Sequence, residues 1–221
     1  MDMDYQIMDQ TYKTNLLEVL YVRSFRYDPE SGFTLTSGKK SDVYIDAKKT
    51  VLSAEGMELV GFAFFQELKH APIDGVGGLT LGADPIACAT ALVSTMNGKS
   101  LDAFVIRKEP KKHGTMQWIE GNLQPGACVA IVDDVVTTGG STILAVQRAR
   151  EAGFEVKRVI ALVDREEGGA ENIMKETGCK FEALFTKSDF IELYNKHNKE
   201  KEDEKKKAEP REKPKQEKPF F

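Results

Sequence analysis

Between Lys13 and Asn195, short runs of apolar and β-branched residues alternate with longer amphipathic stretches, the pattern of a mainly parallel sheet covered by helices on both faces. The fold class is α/β. The runs Ile73 to Val76, Leu101 to Ile106, Cys128 to Val132, Val156 to Val163 and Phe181 to Phe185 read as strands whose near-continuous apolar character suits burial on both sides. Asn15 to Phe25 predicts a helix, and FTLTSGKKSDVYIDAK predicts two short strands around Ser37 to Asp42. Asp84 followed by Pro85 is an N-cap with proline at the first helical position, and Gly98 ends that helix. A second helix is capped by Ser141 or Thr142 and stops before Gly153.

Composition changes this picture only at the C-terminal end. After Asn195 the chain carries ten Lys/Arg, seven Asp/Glu and three prolines in 26 residues, so residues 196–221 are expected to be a disordered charged tail, leaving one domain over residues 1–195. A sharper reading of the tail is a docking peptide ending in Phe220 and Phe221. The whole chain of 221 residues has net charge −4, and removing the tail's +3 leaves −7 on the body. An acidic body offers no general field for a nucleic-acid backbone, so no nucleic-acid partner is expected. The longest apolar runs fall far below the ~20 residues that span a bilayer, and MDMDYQIMDQ resembles no signal peptide, so the expectation is a cytoplasmic protein without membrane attachment. Cys88, Cys128 and Cys179 fit neither a disulfide framework nor a CxxC metal site and read as buried small hydrophobes.

The segment richest in chemistry is VAIVDDVVTTGGST, Val129 to Thr142. A buried strand delivers two adjacent acids, and a Thr-Thr-Gly-Gly-Ser-Thr turn then opens a helix at the carboxyl edge, where open α/β sheets bind ligands. The free N–H groups and hydroxyls of such a turn suit a monoester phosphate. Asp133 and Asp134 would repel that phosphate, so they must face hydrogen-bond donors or a cation; ribose hydroxyls and Mg2+ are the candidates. The plainer alternative is a strand-turn-helix with solvated acids.

RKEPKKHGTMQWIEG, Arg107 to Gly121, follows a strand, lacks any period, and brings Arg107, Lys108, Lys111 and Lys112 together with His113. It reads as a basic loop suited to a diphosphate, or as an ordinary solvated loop. ALVDREEGG places Arg165 just past a strand end, suited to a carboxylate or else to pairing with Glu166 or Glu167. GVGGLTLGADP has a glycine span from Gly77 to Gly82 but Ala83 and Asp84 where a nucleotide-binding loop needs Lys and Ser/Thr, and no G-x-G-x-x-G occurs.

The acid pair and its turn resemble the phosphoribosyl diphosphate (PRPP) signature of type I phosphoribosyltransferases, and the basic loop and Asp-Arg-x-x-Gly element resemble those of the orotate phosphoribosyltransferases. The resemblance covers about Asn15 to Asn195. It implies a type I phosphoribosyltransferase fold with an N-terminal hood over residues 14–50, and Mg2+-dependent conversion of orotate and PRPP to orotidine 5'-monophosphate and pyrophosphate in pyrimidine biosynthesis. PRPP binding then falls to Arg107, Lys108, Lys111, His113, Asp133, Asp134, Val135, Val136, Thr137, Thr138, Gly139, Gly140 and Ser141. Lys108, Lys111 and His113 are the implied catalytic residues, and Thr137, Arg165 and Tyr44 the implied orotate contacts, with Lys39 or Lys40 nearby. The diphosphate falls to the Gly75 to Pro85 turn through backbone amides. Mg2+ is implied to be held mainly through PRPP, near Asp133 and Asp134, with no direct protein ligand set. A homodimer sharing the basic loop across its interface is also implied. Two positions depart from many bacterial members, which have Lys where this chain has Thr36 in the hood and Gly82 in the diphosphate turn. The rival readings are a purine or xanthine phosphoribosyltransferase, disfavoured because a purine has no carboxylate for Arg165, and a non-catalytic PRPP-sensing regulator on the same fold.

Overall fold

A computed structural model describes residues 2–34, 40–110 and 118–208. The expectations for Thr36, Lys39, Lys111, His113 and the last thirteen residues lie outside these. Helix α1 (Asp2–Ser24) leads into the hood strands β1 (Phe25–Tyr27), β2 (Phe33–Thr34), β3 (Lys40–Ser41) and β4 (Val43–Ile45), then α2 (Lys48–Val51) and α3 (Ala54–Leu68). The body follows as β5 (Gly75–Leu79), α4 (Ala83–Met96), β6 (Asp102–Ile106), β7 (Ile119–Glu120), β8 (Cys128–Val136), α5 (Gly140–Glu151), β9 (Glu155–Asp164), α6 (Gly169–Thr177), β10 (Phe181–Thr186) and α7 (Lys187–Ala208).

Six strands form the central sheet in the order β10-β9-β8-β5-β6-β7, parallel except for β7. In the hood β1 pairs with β4 and β2 with β3, both antiparallel. The expected α/β class is thus the observed one. One apolar cluster packs Leu16, Leu20, Phe64, Ile86, Val132 and Leu162 between the hood, α3, α4 and one face of the sheet. The other packs Val129, Ile131, Val146, Phe154 and Ile173 beneath α5 and α6. Strand order reverses between β5 and β8, so the turns after these two strands flank the crevice where open α/β sheets take ligands.

Several boundaries differ from those the sequence suggests. Strand β8 continues through Asp133 and Asp134 to Val136, because β9 extends alongside it and pairs Asp133 with Ala161 and Val136 with Asp164. Helix α4 opens two residues earlier, after Gly82, with Pro85 in its first turn, and α5 opens after Gly139 with no side-chain cap. Gly139 has φ 83°, and a Cβ there would come within 2.9 Å of Ile173 Cγ1, so the turn needs glycine on both counts.

The tail also differs. Helix α7 runs past Asn195 to Ala208. Its first half is docked by Phe190 and Leu193, which are buried, and His197 reaches Glu18 at 3.4 Å and meets the Tyr21 ring edge-on. Beyond that, Lys and Glu favour helix and Lys199 stands four residues before Asp203, so the charge-rich stretch propagates a helix already nucleated on the core. The cysteines depart from expectation as well: Cys88 is exposed on α4, and Cys128 and Cys179 are half-buried. No helix among the described residues is long and apolar enough to cross a membrane.

Candidate active site

The sheet registers bring three chemistry-bearing segments to one edge. Pairing of Leu79 with Ile106 sets Arg107 beside the turn after β5, where the Thr80 amide donates to the Ile106 carbonyl at 2.8 Å. Pairing of Val136 with Asp164 sets Arg165 beside Thr137, and the Arg165 amide donates to the Val136 carbonyl at 2.9 Å. These contacts fix by backbone geometry what the separate motifs could only suggest.

Asp133 and Asp134 are each 7% exposed, which removes the reading of solvated acids. Asp133 turns toward α5, where Thr142 Oγ1 donates to its Oδ2 at 2.8 Å, while its Oδ1 accepts from the Asp134 amide at 3.0 Å. Asp134 turns toward the hood: Lys48 Nζ lies 3.1 Å from its Oδ2, and the Val135 amide donates to its Oδ1 at 2.9 Å. Burial, then the neighbouring Asp134 charge, pushes the Asp133 carboxyl up to about 7. Two buried acids that already accept bonds from Thr142, Lys48 and the backbone form a fixed acceptor pair, suited to vicinal hydroxyls.

The next turn has the open amides and hydroxyls that an anion could use. Thr138, Gly140 and Ser141 are exposed, and the first amides of α5 have no partner within the helix. Val136 is 2% exposed in the core under α5, so only its backbone can face a ligand, and Val135 is half-buried against the other apolar cluster.

Arg165 is 6% exposed. Its Nη2 lies 2.8 Å from Glu167 Oε1 and 3.2 Å from Ser41 Oγ of the hood, and its Nε is buried without a hydrogen-bond partner among the described residues. The pairing with Glu167 expected of a surface arginine is therefore present, but on a buried side chain with donor capacity left over. Glu166 turns away to accept from the Ser188 amide and hydroxyl.

Other expected site residues are less engaged. Arg107 pairs with Glu120 at 2.9 Å and Lys108 is exposed at the base of the basic loop. Tyr44, 40% exposed, packs its ring against Phe33 with centroids 5.9 Å apart, and Lys40 is exposed on β3. Sequence reasoning missed Lys48, Ser41 and Thr142 as site residues; the first two come from the hood, and no local pattern marks them.

No family model matches the chain. Curated relatives do. It is 48% identical over 179 residues to the orotate phosphoribosyltransferase of Aquifex aeolicus (strain VF5), covering 81% of this chain and 97% of that one. This chain belongs to the orotate phosphoribosyltransferase family. The enzyme of Synechocystis sp. (strain ATCC 27184 / PCC 6803 / Kazusa) is 45% identical, covering 81% of this chain and 88% of its own. Among solved structures, the Mycobacterium tuberculosis H37Rv orotate phosphoribosyltransferase in complex with Fe(III) dicitrate matches with TM-score 0.71 and 35% identity over 81% of this chain and 98% of that one. The same enzyme in complex with PRPP matches with TM-score 0.66 and 31% identity, again over 81% and 98%. The observed layers are those of the type I phosphoribosyltransferase fold, and family membership makes the chain a pentosyltransferase.

Proposed function

We propose that this site transfers the phosphoribosyl group of PRPP to orotate, forming orotidine 5'-monophosphate and pyrophosphate. The observation that carries the reading is the buried Arg165, whose Nε has no partner among the described residues, fixed by sheet register beside Thr137 at the same edge as a buried acid pair. A guanidinium for a carboxylate, two carboxylates for hydroxyls and an amide cradle for a phosphate match the groups of these two substrates and of no purine. The PRPP complex of the mycobacterial relative supports the same reading.

In this scheme Asp133 and Asp134 accept from the ribose 2' and 3' hydroxyls, and the residues from Thr137 to Ser141 hold the 5-phosphate. The backbone of the Thr80 to Gly82 turn, with Arg107 and Lys108, faces the diphosphate. Lys111 and His113 join them from the basic loop. Arg165 and Thr137 orient orotate so that N1 faces C1, and Tyr44 flanks the base. Bond breaking runs ahead of bond making at an oxocarbenium-like carbon, so positioning and charge stabilisation matter more than proton transfer.

Among the described residues no cluster of three or more His, Cys, Asp or Glu could hold a metal by itself. In this reading Asp133 and Asp134 would lie near a Mg2+ held through the substrate's phosphate oxygens, which would supply charge neutralisation to the departing pyrophosphate. We also assign a homodimer. Leu81, Cys88, Leu92 and Met96 are exposed on α4 and the turn before it, with Leu92 at 65% and Met96 at 72%, an apolar stripe suited to a second copy. The free cysteines and acidic body fit a cytoplasmic enzyme without a nucleic-acid partner. The test is pyrophosphate release with PRPP and Mg2+ and, in parallel, orotate, uracil, adenine, hypoxanthine and xanthine. Turnover with orotate alone is expected; turnover only with a purine, or with no base, overturns the assignment.

A further inference from the structure

Among the described residues, Lys48 is the cation seen on the acid pair, and it comes from the end of the hood segment, far in sequence from the acids and their turn. It opens α2, which is pinned beneath the hood by Ala47 and Val51, both buried, and by the 2.7 Å contact between Thr50 Oγ1 and Ser24 Oγ. From there Nζ reaches Asp134 Oδ2 at 3.1 Å, with Asp46 Oδ1 at 3.6 Å behind it. Burial pulls the Lys48 ammonium down, but Asp134 and Asp46 outweigh it and hold the pKa above the ordinary lysine value. The ammonium therefore stays charged.

The opposite side of the same carboxylate is walled by Gly82, where a Cβ would overlap Asp134 Oδ1. Position 82 thus has no room for a side chain in the observed arrangement. The hood supplies a cation to that carboxylate. We propose that Lys48 is a positioning residue: it fixes the orientation of Asp134 and balances one of two adjacent buried charges, so that the pair is set to grip the ribose of PRPP. This rests on the PRPP reading given above. An ion pair between two exposed groups would be worth little, but here the Asp134 side chain is only 10% exposed, so removing its partner leaves a nearly buried charge uncompensated.

The test compares Lys48→Met and Lys48→Arg with the wild-type enzyme and with the Asp133→Asn, Asp134→Asn double variant, using calorimetric PRPP binding with Mg2+, steady-state kinetics and thermal melting. Lys48→Met is expected to raise the Kd and KM for PRPP about tenfold while kcat and the KM for orotate move less than about threefold, and Lys48→Arg to restore most of the loss. The melting temperature of Lys48→Met should fall, since a nearly buried carboxylate loses its partner, while the fold and orotate binding persist. Lys48→Met binding PRPP as wild type does would overturn the proposal. So would an equal loss for both substrates, which is the signature of a collapsed hood. If instead the double acid variant keeps wild-type PRPP affinity, the PRPP reading of the acid pair itself fails, and the role of Lys48 with it.

Discussion

Arg165 and Glu167 meet at 2.8 Å within one short turn, so the guanidinium proposed to receive a carboxylate already holds one. Orotate would add to this pair through the buried Nε or take the place of Glu167, and in both cases it meets a group whose desolvation the fold has completed.

Arg165→Ala should weaken orotate far more than PRPP. Losing a charge-assisted bond to a buried guanidinium costs about 2 kcal/mol or more, about thirtyfold in affinity. Separate KM values for the two substrates check this; equal losses would move Arg165 to a structural role.

Changing Asp133→Asn and Asp134→Asn together should leave the fold intact and remove most PRPP affinity, because the pair sits at the ligand edge and supplies acceptors that amides match only in part. Circular dichroism establishes folding and calorimetry reads the affinity. A folded double variant with unchanged affinity rules out the role.

Acidity at Asp133 predicts how stability depends on pH. The carboxyl is pushed up to about 7 in the fold, from 3.8 ordinarily. Between these values the folded protein binds a proton that the unfolded chain does not, so the stability of the unliganded protein should fall as pH rises through this window and level off above it. Urea midpoints at pH 5, 6, 7 and 8 test the trend, which Asp133→Asn should flatten. A wild-type stability that rises over this range would contradict a raised acid.

The proposed dimer makes its own prediction. Inactive Lys111→Ala and inactive Arg165→Ala proteins, mixed after reversible dissociation, should regain activity in proportion to hybrid formation if the basic loop serves the neighbouring subunit. One site of each hybrid then carries both defects and the other carries neither. Confirmed hybrids that stay inactive would show that each loop serves its own subunit.

What was legible in the sequence was local. The acid pair, the glycine-containing turn and Arg165 each announce themselves within a few residues, because one strand exit needs all its parts together. The strand through Asp133 and Asp134 was read short because acids look like an ending, and only the neighbouring β9 ladder reveals that pairing continues. Lys48 was illegible for a different reason: it lies 86 residues from Asp134, and nothing in KK at positions 48 and 49 says which lysine turns inward. The helix from Lys196 to Ala208 was illegible because composition reports an inability to build a core, whereas α7 needs only a docked first half to continue.

Strand β5 reads Gly-Val-Gly-Gly-Leu, and three of its five residues have no side chain to hold a strand together. A Cβ at Gly77 would overlap the Phe104 carbonyl oxygen, and one at Gly78 the Val132 carbonyl oxygen, so the neighbours close directly onto bare backbone. Such a segment has little strand preference of its own and loses much freedom on ordering. It should therefore be among the last parts of the sheet to form during folding, templated by β8 and β6, with the turn proposed to face the diphosphate completed after the strand that carries the acids. Pulsed hydrogen exchange during refolding should show the Val129 to Val132 amides protected before those of Val76 to Leu79. The reverse order would mean that the glycine strand nucleates the sheet.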